Sequence, residues 1–344
     1  MSDLQPTIET DYISGENFAL EAGAVLPEII QHYAIFGEIN SDKSNVTLVF
    51  HALTGSARID DWWTDLIGDG KALDTRRDAF ICINFLGSRY GSTGADSVKL
   101  LGKNNKTEFP LVTVADIIRA QKLVLDFLKI EKLKAVIGGS VGGMCALQFA
   151  AEFPEVAAKC VAIGACELSA MGLALNHLQR EALRHERDVG LARQIAMISY
   201  KSPELFNARF ARRPNRNGEN PRAGFEHRFD VAGYLDHQSE IFKNRFDAET
   251  FKIISKAMDL FELTDDEIKK IRAKIYLVGI SSDWLFPASD VKNLAERLNR
   301  NGANAEFIEF VSPDGHDAFL SDTRRMSEVL KRIFTTKTRR TQSF

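Results

Sequence analysis

Residues 136–150 read VIGGSVGGMCALQFA. Val136 and Ile137 close an apolar run that does not alternate, as expected of a strand buried on both faces of a parallel sheet. The residues from Met144 onward favour a helix. Between the two, four glycines compress the turn around a single hydroxyl, that of Ser140. In a strand–turn–helix setting the pattern G-x-S-x-G predicts a strained serine whose Oγ projects above the sheet, with the Val141 N–H at the helix N-terminus beside it. A tight turn with a surface hydroxyl would carry the same glycines, so the rest of the chain has to supply the partners of a nucleophile.

Working outward, short β-branched runs alternate with helical patterns in two blocks. NVTLVF (45–50), AFICINF (79–85), KAVIG (134–138) and KCVAIGA (159–165) read as strands of one sheet. A helix is predicted over 114–130, opened by Thr113 and Asp116 at capping-box spacing. The second block holds the strands KIYLVGI (274–280) and AEFIEFV (305–311), a helix over 289–302 and a last helix ending near Phe334. Ahead of both blocks, NFALEAGAVLPEIIQHYAIFG suggests an antiparallel hairpin at the sheet edge. From about 167 to 265 strand signals vanish and helical patterns follow one another, around a loop over 211–224 that reads as mobile. The economical architecture is an α/β core of 1–166 and 266–344, with a mostly parallel sheet and a helical cap inserted at 167–265. The terminal TKTRRTQSF (336–344) reads as frayed.

A serine nucleophile needs a base, and the base an orienting acid. SSDWLFP places Asp283 just past the strand 274–280, and SPDGHDAFL places His316 just past the strand 305–311. Taken alone, Asp283 is a turn acid and His316 a polar residue at a helix start. Together with Ser140 they give the order Ser, Asp, His, each directly beyond a predicted strand, and the triad reads Ser140–Asp283–His316. The loop HALTG (51–55) offers the Leu53 N–H as the second oxyanion donor beside that of Val141. His51 is expected to brace this loop.

Composition removes several function classes. With 44 Lys and Arg against 47 Asp and Glu the net charge is −3, and no basic block suggests nucleic acid. The four cysteines form no C-x-x-C pair, and the seven histidines form no metal-ligand spacing. The N-terminus lacks the marks of a signal peptide and no apolar run is long enough for a bilayer, so a soluble cytoplasmic protein without a membrane partner is expected.

From about Leu20 to Ile333 the chain resembles the homoserine O-acetyltransferases of the α/β-hydrolase superfamily. The resemblance rests on HALTG (51–55), WWTDLIGDGKALDT (62–75), NFLGSRYGSTGA (84–95), FPLVTVADIIRAQ (109–121), GGSVGGM (138–144), GYLDHQ (233–238), RFDAETF (245–251) and GHDAFL (315–320). It implies an acyltransferase of methionine biosynthesis that moves an acetyl group from acetyl-CoA to the L-homoserine hydroxyl through an acyl-Ser140 intermediate, with no permanently bound cofactor. It also implies that Arg193 holds the acceptor carboxylate with help from Tyr200, that Asp317 takes the ammonium, and that a homodimer forms through the cap helices. A guanidinium suits a carboxylate and a carboxylate suits an ammonium. Arg193 and Tyr200, seven apart on one helix, face the same way.

Two features depart from the family pattern. The stretch REALRHERDVGLAR runs straight from the Arg180 region to Arg193 where relatives have a longer loop. In Ser88-Arg89-Tyr90 many members have a small residue and a cysteine before the tyrosine; at an acyl pocket Arg89 would favour a succinyl group, making succinyl-CoA the alternative donor. Serine in place of homoserine, a carboxylesterase sharing every triad atom, and a non-catalytic binding protein are the other readings. The last fits poorly with an intact nucleophile, acid, base and oxyanion loop.

Overall fold

The computed structural model describes residues 4–97, 109–186 and 189–335. Its strands are β1 (Ile8–Ile13), β2 (Phe18–Ala19), β3 (Val25–Leu26), β4 (Ile30–Phe36), β5 (Val46–Phe50), β6 (Ala79–Ile83), β7 (Ala135–Gly139), β8 (Lys159–Ile163), β9 (Lys274–Ile280) and β10 (Asn304–Phe310). Among the described residues, eight of these form one sheet in the order β1-β4-β6-β5-β7-β8-β9-β10. The pairs from β6 to β10 are parallel, while β1–β4 and β4–β6 are antiparallel. Strands β5, β6, β7 and β8 are buried at every position, which is why their sequences do not alternate.

The longer helices pack against the sheet or, between β8 and β9, against one another. They are α1 (Val114–Phe127), α2 (Val141–Glu152), α3 (Ala170–Glu186), α4 (Val189–Tyr200), α5 (Pro203–Arg209), α6 (Asp230–Lys243), α7 (Ala248–Asp259), α8 (Asp265–Lys270), α9 (Ala288–Arg300) and α10 (Thr323–Thr335). The predicted capping box at α1 is present: Thr113 accepts from the Asp116 amide and Asp116 accepts from the Thr113 amide. Between β8 and β9 the described elements are helices, joined by a loop with one isolated bridge, Pro214 to Phe229. That loop is tied down by Glu219, which pairs with Arg228, which in turn meets Asp236. Phe242, Phe251 and Ile254 of the helical segment belong to the same buried cluster as Leu53 and Val141, while a second cluster, with Trp63, Phe80, Phe319 and Leu330, is separate from it.

The N-terminal hairpin differs from the expectation. Phe18–Ala19 and Val25–Leu26 pair only with each other, and the Glu21 amide ties this small hairpin to Asp116 of α1. The edge partner of β4 is instead β1, whose charged, exposed residues give no burial pattern to read. His32 of β4 lies opposite Asp11 and bonds both Asp11 (2.7 Å) and Glu9 (3.2 Å). The segment 336–344 and residues 187–188 of the Arg180–Arg193 stretch lie outside the described residues.

One contact fixes where α2 starts. Gly142, in its first turn, lies against the end of β5 so closely that a Cβ there would stand 2.3 Å from the Phe50 carbonyl oxygen and 2.8 Å from that of His51. Gly142→Ala is therefore expected to cost about 1–3 kcal/mol, read as a lower urea midpoint at constant slope. Gly15→Ala, with nothing within 4 Å of the added atom, should stay within about 0.5 kcal/mol of the parent.

Candidate active site

The carboxyl ends of the parallel strands meet at one edge, where ligands of open α/β sheets bind. At the end of β7, Ser140 adopts φ +58° and ψ −130°, a left-handed conformation rare for a residue with a side chain. Its amide donates to the Ile163 carbonyl of β8 (2.9 Å), and its own carbonyl accepts from Gly143 and Met144 of α2. Strain of this kind persists only where the surroundings over-determine it. Here a strand bond and a helix start do so, and Ser140 is left 6% exposed, lining a cavity of about 510 Å3.

Asp283 follows β9 and His316 sits in a 3-10 turn after β10. Asp283 Oδ1 accepts from the Leu285 and Phe286 amides, both at 2.9 Å, which leaves Oδ2 for His316 Nδ1 at 2.6 Å. A carboxylate at Nδ1 selects the tautomer with its proton there, so Nε2 carries the lone pair. Nε2 is buried and takes no hydrogen bond among the described residues, while His316 and Ser140 line the same cavity. Rings of Tyr200, Phe286 and Phe319 surround the imidazole at 5.7, 5.2 and 5.6 Å between centroids. Burial acts to lower the His316 pKa. The Asp283 charge and hydrogen bond, with the Asp317 charge, outweigh it and raise the pKa above its ordinary value, against the pull of Lys201.

The loop after β5 stands opposite. His51 bonds the Ala52 carbonyl through Nδ1 (2.8 Å) and accepts the Phe85 amide at Nε2 (3.2 Å). Its full burial depresses its pKa to about 4, so it is a neutral brace and not the base. Asn84, after β6, accepts the Ala57 amide (2.6 Å) and donates to the Tyr90 carbonyl. The fully buried Trp63 donates its indole N–H to the Phe319 carbonyl (3.0 Å), linking the HALTG side to the His316 side. Leu53 lines the cavity and Val141 heads α2, so both sequence-derived oxyanion residues are brought next to Ser140.

Arg193, Tyr200 and Asp317 also line this cavity. The Arg193 guanidinium lies over the rings of Phe242 (4.9 Å) and Tyr200 (5.7 Å), and its Nε is buried without a hydrogen-bond partner among the described residues. A guanidinium on the cavity wall with a buried N–H left unbonded is suited to an anion. Burial pushes the Tyr200 hydroxyl up to about 12, so it is a neutral donor at any working pH. Arg89 does not reach the cavity. The loop turns at Tyr90 (φ +69°), Tyr90 lines the cavity, and the Arg89 guanidinium pairs with Asp247 at 3.7 Å. The succinyl-donor reading thus loses the cation on which it rested.

Three cations near the site were not read from the sequence: Arg58, which lines the cavity and pairs with Asp60 (2.8 Å), Arg245 and Lys201. Arg245 lines the cavity and donates to the Thr54 hydroxyl (3.1 Å) of the HALTG loop, while its backbone carbonyl accepts from the Tyr90 hydroxyl. Lys201 pairs with Asp317 at 2.9 Å. The segment RFDAETF pointed to Arg245 without giving it a role; only the folded chain brings Lys201 to Asp317. Among the described residues no cluster could hold a metal ion, and no helix is long and apolar enough to cross a membrane.

Residues 45–323 match the family model described as the alpha/beta hydrolase fold. Homoserine O-acetyltransferase of Moorella thermoacetica is 36% identical over 91% of this chain and 92% of its own length. That of Symbiobacterium thermophilum is 37% identical over 91% of each. The crystal structure of homoserine O-acetyltransferase from Bacillus anthracis superposes with a TM-score of 0.87 over 97% of this chain and 99% of that one, at 21% identity. Esterase E22 superposes at 0.82 over 95% of this chain and 100% of that one, at 18% identity, a likeness of fold alone. Agreement of more than a third of the residues along nine-tenths of the length means that the chain belongs to the homoserine O-acetyltransferase family, built on the α/β-hydrolase fold.

Proposed function

We propose that the protein transfers the acetyl group of acetyl-CoA to the side-chain hydroxyl of L-homoserine by a two-step mechanism at Ser140. The observation that carries this reading is the buried, unpartnered Arg193 Nε on the wall of the cavity that holds Ser140, His316 and Asp317. An ester hydrolase needs no such cation. An acceptor with a carboxylate at one end and an ammonium at the other needs both Arg193 and Asp317, with its hydroxyl left to face Ser140.

In the first step His316 Nε2 takes the Ser140 proton as Oγ attacks the thioester carbonyl. The Leu53 and Val141 amides receive the oxyanion, and its collapse breaks the C–S bond. The CoA sulfur leaves with the proton from His316, and acetyl-Ser140 remains. In the second step homoserine, held by Arg193 and Asp317, gives its hydroxyl proton to His316 and attacks the ester. Collapse returns the proton to Ser140 Oγ and frees O-acetylhomoserine. The helices of 167–265 serve as a cap that orients the acceptor and limits water. A homodimer through this cap would cover Leu191, Ile198 and Ile241, which are exposed on α4 and α6.

The deciding assay offers acetyl-CoA and succinyl-CoA against homoserine, serine and water, following thiol release and product mass. O-Acetylhomoserine as the main product is expected, and acetate or an O-succinyl product in its place overturns the reading. Ser140→Ala should abolish thiol release. Asp283→Asn should lower kcat about 10^4-fold by losing the tautomer that frees Nε2. Arg193→Ala should raise the homoserine KM roughly 10- to 100-fold while leaving acetyl-Ser140 formation near parental. Because the raised His316 ionisation must lose its proton before it can act, acetyl-Ser140 formation should climb with pH through a limb above the ordinary histidine value.

A further inference from the structure

Helix α4 ends in Tyr200-Lys201-Ser202, and Lys201 Nζ meets Asp317 Oδ2 at 2.9 Å with both side chains largely buried. Asp317 lines the cavity and Lys201 does not, so the carboxylate has a protein cation on one side and acceptor space on the other. An ionised carboxylate has about four acceptor positions and can serve both. Backbone docking fixes the arrangement. The Trp284 indole donates to the Lys201 carbonyl (3.0 Å), and Ser202 Oγ donates to the Pro313 carbonyl. Gly315, at φ +74°, stands so near this turn that a Cβ would come within 2.5 Å of the Ser202 nitrogen.

We infer that Lys201 is a positioning residue for acyl transfer: its ammonium holds the Asp317 carboxylate towards the cavity and offsets that carboxylate's charge at the neighbouring His316. The groups that face His316 are Asp283 from the loop after β9, Asp317 beside it, Tyr200 and Lys201 from the end of α4, and the apolar Phe286 and Phe319. Asp317 favours the imidazolium and Lys201 opposes it. With the pair intact, the base keeps its lone pair to a lower pH than an unpaired Asp317 would permit. The cavity-facing half of this role rests on the acceptor reading of Asp317, whereas the charge-offsetting half needs only the triad.

The test uses the full-length protein and the variants K201M, K201R, D317N and K201M/D317N. Acylation of Ser140 by p-nitrophenyl acetate, followed against pH, reports His316 whatever the natural acceptor. The acid limb of K201M should move up by about half a pH unit and that of D317N down by a similar amount. The double variant should fall back close to the parent, and K201R should match it. Coincident limbs for K201M and the parent, or shifts of the same sign in K201M and D317N, overturn the charge-offsetting role. The homoserine KM should rise about fivefold in K201M, recover in K201R, and not rise further when K201M is added to D317N. An unchanged KM in K201M overturns the holding role. If homoserine accepts no acetyl group even in the parent, the proposed function fails while the ester limbs still decide the role of Lys201.

Discussion

The contact on which this site depends is the seating of the first turn of α2 against the end of β5. With only hydrogen at Gly142, the helix starts within van der Waals range of the Phe50 and His51 carbonyls. That proximity forces the chain to reverse in a single residue, and Ser140 absorbs the turn in a left-handed conformation. The same seating puts the N-terminal amides of α2 next to the HALTG loop. In the proposed mechanism, nucleophile and oxyanion donors are thus set by one packing event, as electrostatic preorganisation requires.

The rest of the machinery is referenced to that point by bonds between loops. Asp283 is fixed by two backbone amides and fixes His316, His51 joins the loops after β5 and β6, and Trp63 spans from the oxyanion side to the residues after His316. Four loops from different strands are tied to one another above the sheet. To this frame the helices of 167–265 add Arg193 and Tyr200 on the cavity wall, opposite Asp317 of the His316 turn.

What could be read from the sequence follows from how local each signal is. The gathering of Ser140, Asp283 and His316 at one edge of the sheet was legible because each stands immediately after an apolar, β-branched run. The capping box of α1 was legible because four consecutive residues define it. Strand β1 was not, since its pairing with β4 uses backbone bonds and the Asp11–His32 contact, and of IETDYI only Tyr12, against Phe127, packs on the core. Arg89 was misplaced because one left-handed residue, Tyr90, determines which neighbour faces the cavity. Arg245 and Lys201 take their significance from partners 191 and 116 residues away, Thr54 and Asp317, distances that no local pattern spans.

The crowding at Gly315 has a mechanical meaning. The turn that ends α4 is pressed against the catalytic-histidine loop backbone to backbone, so the helix bearing Arg193 and Tyr200 is geared to the base. A substitution that shifts the turn ending α4 will therefore register at His316, whereas a change confined to a cavity-facing side chain such as Arg193 leaves that backbone contact in place.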